Sequence, residues 1–192
     1  MESIFYGLIT AGTLFLVYDW YSKLGLEYIK SSIDDSYYLV RSDKEDKQLA
    51  ADILAHIKIK LKIISQHLMK NFPQSSCTKQ LINNYNDFKN MNENNNTLYT
   101  TSYTVNKGHE LVFCLRHKDQ EESLVKLNTL MFVALHEFAH VCSKSRDHTP
   151  EFWSNFKFII QEAIKLGIWS YENYESTPVP YCGIMITDIP NI

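Results

Sequence analysis

The chain has 192 residues, 45% hydrophobic and 21% charged, with a formal net charge of −3. That length supports one domain with a substantial core and excludes two large ones. The weakly acidic balance, with no basic tract and no CxxC pair, argues against a general nucleic-acid binder.

The N-terminal run "IFYGLITAGTLFLVYDWY", residues 4–21, carries one charge, Asp19. As a helix, its fifteen uncharged residues 4–18 would rise about 22 Å, against about 30 Å for a hydrocarbon core. Asp19, Trp20 and Tyr21 would then sit at the interface, where aromatic rings are favoured. We expect a hydrophobic helix over residues 1–24 that acts as a membrane anchor; a helix packed on protein and a cleaved signal are the alternatives. The first basic residues after the run over 4–21 are Lys23 and Lys30. By the positive-inside rule the domain over 30–192 would face the cytosol.

"SYYLVRS", residues 36–42, alternates polar and apolar and reads as a strand. In the next stretch Leu49, Ile53, His56, Ile57, Leu61, Ile64 and Leu68 recur at three- and four-residue steps, which predicts a long amphipathic helix ending before Pro73. The asparagine-rich residues 83–96 read as a loop. "LYTTSYTV" and "ELVFCLR" then form a hairpin through "NKGH", where Gly108 supplies the permissive backbone. Leu111, Phe113 and Leu115 fall on one face of its second strand, and Val112, Cys114 and Arg116 on the other. His56, His67, His109 and His117 lack partners at metal-ligand spacing and read as ordinary surface or turn residues. Cys77, Cys114, Cys142 and Cys182 are far apart and read as reduced thiols.

"LVKLNTLMFVALHEFAHVC" predicts a helix apolar nearly all round, hence buried, capped by Ser123 or Asn128. "SKSRDHTP" breaks it. Thr149 caps a second helix with Pro150 in its first turn, stopping at Gly167. The tail beyond is Pro- and Tyr-rich and irregular.

In the first of these helices His136 and His140 are four apart, so their imidazoles lie about 40° apart around the axis, one turn of rise between them, and reach one metal ion. Glu137, offset by about 100°, leans over the ion's open side without ligating it. H-E-x-x-H is the arrangement of zinc hydrolases, in which the glutamate takes a proton from water and returns it to the leaving amine. Two histidines and a glutamate in an otherwise apolar helix would cost several kcal/mol of desolvation without partners, and a metal provides one. The metzincin pattern fails, because Ser143 and Arg146 stand where it needs glycine and histidine. The third ligand is then His148, with Glu151 and Glu162 as alternatives. Asp147 and Thr129 are candidate supporting groups, and Tyr171, Tyr174 and Tyr181 are candidate donors to a developing oxyanion that also read as packing residues.

"LVFCLR…LNTLMFVALHEFAHV…DHTPEFW" resembles the WLM family of zinc peptidases, relatives of the SprT-like proteases. His136, Glu137 and His140 match its motif, and His148 with Phe152 matches the downstream part, across a loop longer than the family's common form. Over residues 38–192 the chain is similar to WLM-like metallopeptidases of large DNA viruses of protists and algae, through "LVRSDKEDKQLAADILAHI", "YTVNKG", "NTLMFVALHEFAH" and "YCGIMIT". The resemblance implies an α+β, zincin-like domain: a small antiparallel sheet packed on the long helix and the H-E-x-x-H helix. It implies Zn²⁺ on His136, His140 and His148, Glu137 as the base, and a polypeptide substrate paired along the free edge of the strand over 111–116. Virion or infected-cell localisation follows from the viral likeness. Some relatives degrade proteins crosslinked to DNA, so a DNA-associated protease is one alternative; a structural zinc protein of a virion or membrane is another, which Glu137 argues against.

Overall fold

The structure, a computed structural model, describes residues 23–95 and 101–191, with Thr13 alone ahead of them. The expected anchor over residues 4–21 therefore lies outside the described residues. Among those described, no helix is long and apolar enough to cross a membrane.

Chain order is β1 (Leu26–Lys30), β2 (Tyr37–Arg41), α1 (Lys47–Asn71), α2 (Ser76–Asn84), β3 (Met91–Glu93), β4 (Tyr103–Val105), β5 (Glu110–Phe113), α3 (Leu127–Val141), α4 (Pro150–Lys165), β6 (Val179–Tyr181) and β7 (Ile184–Ile186). The α+β expectation holds. β1 begins ahead of residue 30, where the domain was expected to start.

The first five strands form one sheet in the order β1-β2-β3-β5-β4. It is mixed, not antiparallel throughout: β1/β2 and β4/β5 are antiparallel, β2/β3 and β3/β5 parallel. The reason is β3, a three-residue strand inside the asparagine-rich stretch expected to be loop. The α1–α2 crossover returns the chain alongside β2, and a crossover of that length allows the next strand to run parallel. β3 occupies one side of β5 and β4 the other, so β5 has no free edge over Glu110–Phe113 and the edge strand is β4. This corrects the expected substrate edge.

α1 packs Ile53, Leu54, Ile57, Leu61, Ile64 and Leu68 into the core, while Leu49 is 55% exposed and His56 lies on the surface. Both faces of β5 and its continuation are buried: Arg116 is covered because its guanidinium pairs with Glu93 at 2.8 Å and Asp46 at 2.6 Å. α3 is buried nearly all round, as its composition requires. Its N-cap is Lys126 with no side-chain cap; Asn128 instead donates to the Ser170 carbonyl and Glu172 carboxylate, tying the helix start to the tail. Thr149 does cap α4, its hydroxyl accepting from the Phe152 amide. Gly167, at φ 65°, ends α4 in a Schellman turn, with Ile168 N–H on the Ala163 carbonyl and Gly167 N–H on Ile164.

The tail is more ordered than expected. β6 and β7 pair as an antiparallel hairpin, and Cys182, beside β6, forms a disulfide with Cys114, Cα–Cα 6.1 Å. The expectation of reduced thiols thus fails for Cys114 and Cys182, because the tail folds back over β5 across 68 residues of sequence. Cys77 and Cys142 are buried free thiols, as expected.

Candidate metal centre

α3 fixes two of the histidines by packing. Leu135, Phe138 and Ala139 are fully buried around His136 and His140, so the i,i+4 pair has one orientation set by the core. After Val141 the chain leaves the helix. Ser143 Oγ donates back to the Ala139 carbonyl at 2.8 Å, and Asn155 of α4 donates to the Cys142 carbonyl and to Ser143 Oγ. The loop then runs over the surface and returns His148 to the pair just before the Thr149 cap.

His148 Nε2 lies 3.0 Å from His136 Nε2. Ring centroids are 5.1 Å apart for His136 and His140, 4.8 Å for His136 and His148, and 5.0 Å for His140 and His148. One nitrogen from each can be chosen so that all three lie within 4.8 Å of one another. Nitrogens sharing a tetrahedral zinc at 2.0–2.1 Å would stand about 3.3 Å apart, so the donor set fits such an ion with small ring adjustments. Among the described residues this trio is the metal-competent cluster. The alternative ligands are engaged elsewhere: Glu162 pairs with His67 at 2.8 Å and Lys165 at 2.6 Å, and Glu151 accepts from the Lys144 and Ser145 amides.

His136 and His140 are held neutral, with lone pairs ready to donate. Burial, then the neighbouring His140 and His148, lower the His136 pKa to about 3. Burial and His148 lower His140 to about 4, with Lys107 acting in the same direction and Asp147 opposing. Phe152, fully buried, floors the cluster, its ring 4.4 Å from His140, 4.6 Å from His148 and 5.0 Å from His136. That aromatic wall covers one side of the cluster.

Glu137 is 6% exposed and makes no part of the trio. Burial raises its pKa to about 7, and the Thr104 backbone amide on β4 opposes that rise. The edge strand therefore faces the carboxylate. Tyr181 is on the same side: its hydroxyl bonds Ser102 Oγ, burial raises its pKa, and the charge of Glu137 adds to that rise. Tyr174, by contrast, is packed against Phe132 at 4.7 Å, and Tyr171 is exposed against Trp169. Sequence reasoning picked the three histidines and Glu137. It missed Thr104 and Ser102, which carry no signal beyond β-propensity.

Comparison with known proteins bears on the family and the fold. The WLM domain model matches residues 77–178. The uncharacterized protein R325 of Acanthamoeba polyphaga mimivirus is 34% identical over 175 residues, 87% of this chain and 85% of that protein. The uncharacterized protein 136R of Invertebrate iridescent virus 6 is 35% identical over 69 residues, covering 35% of this chain and 38% of that one. Among solved structures, Wss1 from Saccharomyces cerevisiae superposes with a TM-score of 0.51 at 20% identity, over 67% of this chain and 88% of that chain, a likeness of fold. The viral relatives agree with the resemblance read from the sequence. The family match, spanning more than half of the chain and including every residue of the histidine cluster, places this protein in the WLM family of metal-dependent peptidases.

Proposed function

We propose that the protein is a zinc-dependent endopeptidase, with His136, His140 and His148 as zinc ligands and Glu137 as the general base. The observation that carries this is the convergence of three imidazoles beside a buried carboxylate that none of them binds. When bound, zinc supplies Lewis acidity: it polarises a carbonyl and makes water acidic enough to lose a proton near neutral pH.

The chain's own residues do the rest. Glu137, with a pKa of about 7 before any metal is bound, accepts a proton from water and returns it to the departing amine. The outer side of β4 offers backbone groups to an extended substrate, fixing the scissile bond over Glu137. Beyond His148, Trp153 (ring centroids 5.9 Å away) opens onto a cleft of about 610 Å³ between α4 and residues 188–191, with room for a substrate side chain.

Glu137→Gln tests the assignment. It preserves size and hydrogen bonding but cannot take the proton. With a dye-quenched unfolded protein as substrate, turnover should drop by ~10²–10⁴ while zinc content stays that of wild type. Loss of zinc from the variant would make Glu137 a ligand; full activity would place the base elsewhere.

A further inference from the structure

Between buried Ser143 and the His148 ring, which lies on Phe152, the loop that delivers His148 has little to hold it by packing. Lys144, Arg146, Asp147 and His148 are all exposed. An exposed segment without core side chains is held by polar bonds or is loose. Ser143 Oγ is held by Ala139 and Asn155, and Ser145 Oγ meets Thr149 Oγ1; the loop's backbone between them is gripped by two opposed charged groups.

On one side is Lys107, in the turn between β4 and β5. Its ammonium donates to three carbonyls: His140 at 3.3 Å, Ser143 at 2.8 Å, and Ser145. The first belongs to a metal-ligand candidate in the last turn of α3, where carbonyls lack helical partners and a cation is favoured by the dipole. The other two belong to the His148 loop. On the other side, the Glu151 carboxylate accepts from the amides of Lys144 and Ser145. Carbonyls are thus held by a cation and amides by an anion, across the same few residues.

The turn is shaped for this contact. Asn106, Lys107 and Gly108 are all left-handed, at φ 44°, 57° and 97°. A Cβ on Gly108 would stand 2.9 Å from Val141 Cγ2, so glycine allows the turn to approach the end of α3. Asn86 donates to the Gly108 carbonyl at 2.6 Å, and Asn84 to the Val141 carbonyl at 2.8 Å, fastening both partners to the end of α2. A lysine in a hairpin turn would ordinarily reach into solvent; this one is partly buried, with its charge spent on backbone oxygens.

We propose that Lys107 is a positioning residue for the metal centre: by joining the end of α3 to the 143–149 loop, it sets the place of His148 relative to His136 and His140. This rests on the zinc site proposed above. The hairpin whose edge strand faces Glu137 also holds the third ligand, so one element aligns the base and the metal.

The test compares wild type with Lys107→Met, which keeps the apolar stem, and Lys107→Arg and Lys107→Gln, which keep donors. Zinc affinity is read by competition with a chromophoric chelator, and coordination by the visible spectrum of the cobalt-substituted protein at saturation. Lys107→Met should bind zinc ~10–100-fold more weakly, the range for losing an outer partner of a metal ligand. Its saturated cobalt spectrum should lose intensity as the third nitrogen falls out of place; a purely global loss of stability would leave that spectrum unchanged. Arginine should restore most of the affinity and glutamine part of it. Lys107→Met with wild-type affinity and an unchanged cobalt spectrum overturns the inference and leaves the zinc site standing. Wild type that binds neither metal at the histidines removes both. If Lys107→Met does not fold, the glutamine variant decides by the same two readings.

Discussion

Two of the three histidines belong to a different kind of structure from the third. His136 and His140 ride on α3, a helix buried nearly all round, with Phe138 and Leu135 fully covered between and beside them. His148 stands at the end of an exposed loop, held by Lys107, Glu151 and the Thr149 cap. The first pair is placed by hydrophobic packing, which is costly to disturb and shared with the whole fold. The third is placed by a few polar bonds, each worth little by itself. The site is therefore a rigid half completed by a softer one, and perturbations of the two halves should separate.

The largest separation comes from the helix. Phe138→Ala should lower global stability by about 3–5 kcal/mol, because a fully buried ring packed on Phe88 leaves a cavity behind the helix that carries the histidine pair. Urea unfolding of the metal-free protein measures it; a loss no larger than that of an exposed loop substitution would erase the contrast. On the loop, His148→Ala should weaken zinc binding beyond the ~10–100-fold seen for outer partners, while scarcely changing metal-free stability. Glu162→Ala is the counterpart: it strands His67 and Lys165, lowers stability, and leaves zinc affinity alone. A reversed result would make Glu162 the third ligand.

Acid gives a smaller, graded effect on the metal-free protein. His136 and His140 have folded pKa values of about 3 and about 4, below the ordinary 6.5. Between those values the unfolded chain binds more protons than the folded one, so stability rises with pH. Their contribution is complete above pH 6.5 and is lost as pH falls toward 3. Replacing His140 by glutamine should flatten that part of the stability profile; an unchanged slope would mean the imidazoles are not held neutral by burial.

Much of this was legible in the sequence because local rules acted alone. The α1 stripe, the turn around Gly108, the Thr149–Pro150 start and the H-E-x-x-H spacing are each set by a few neighbouring residues. His148 could be picked because a break after α3 and a cap before α4 leave it one place to go. What escaped depends on distant chain. β3 is three residues long in a polar stretch, too short for any period, and it is made a strand by its neighbours β2 and β5. That strand also removed the free edge expected of β5. The Cys114–Cys182 bond joins residues whose sequence positions say nothing about proximity. Lys107 reads as an ordinary polar turn residue, and its role lies in carbonyls it meets more than thirty residues away.

X-ray absorption at the zinc edge of the purified protein reads the ligand set of the three-histidine centre itself. The expected result is a four-coordinate ion with scattering from three imidazoles at about 2.0–2.1 Å, one for each of His136, His140 and His148, and one further light atom. A first shell containing sulfur, or only two imidazoles with a carboxylate in the third protein position, would contradict it.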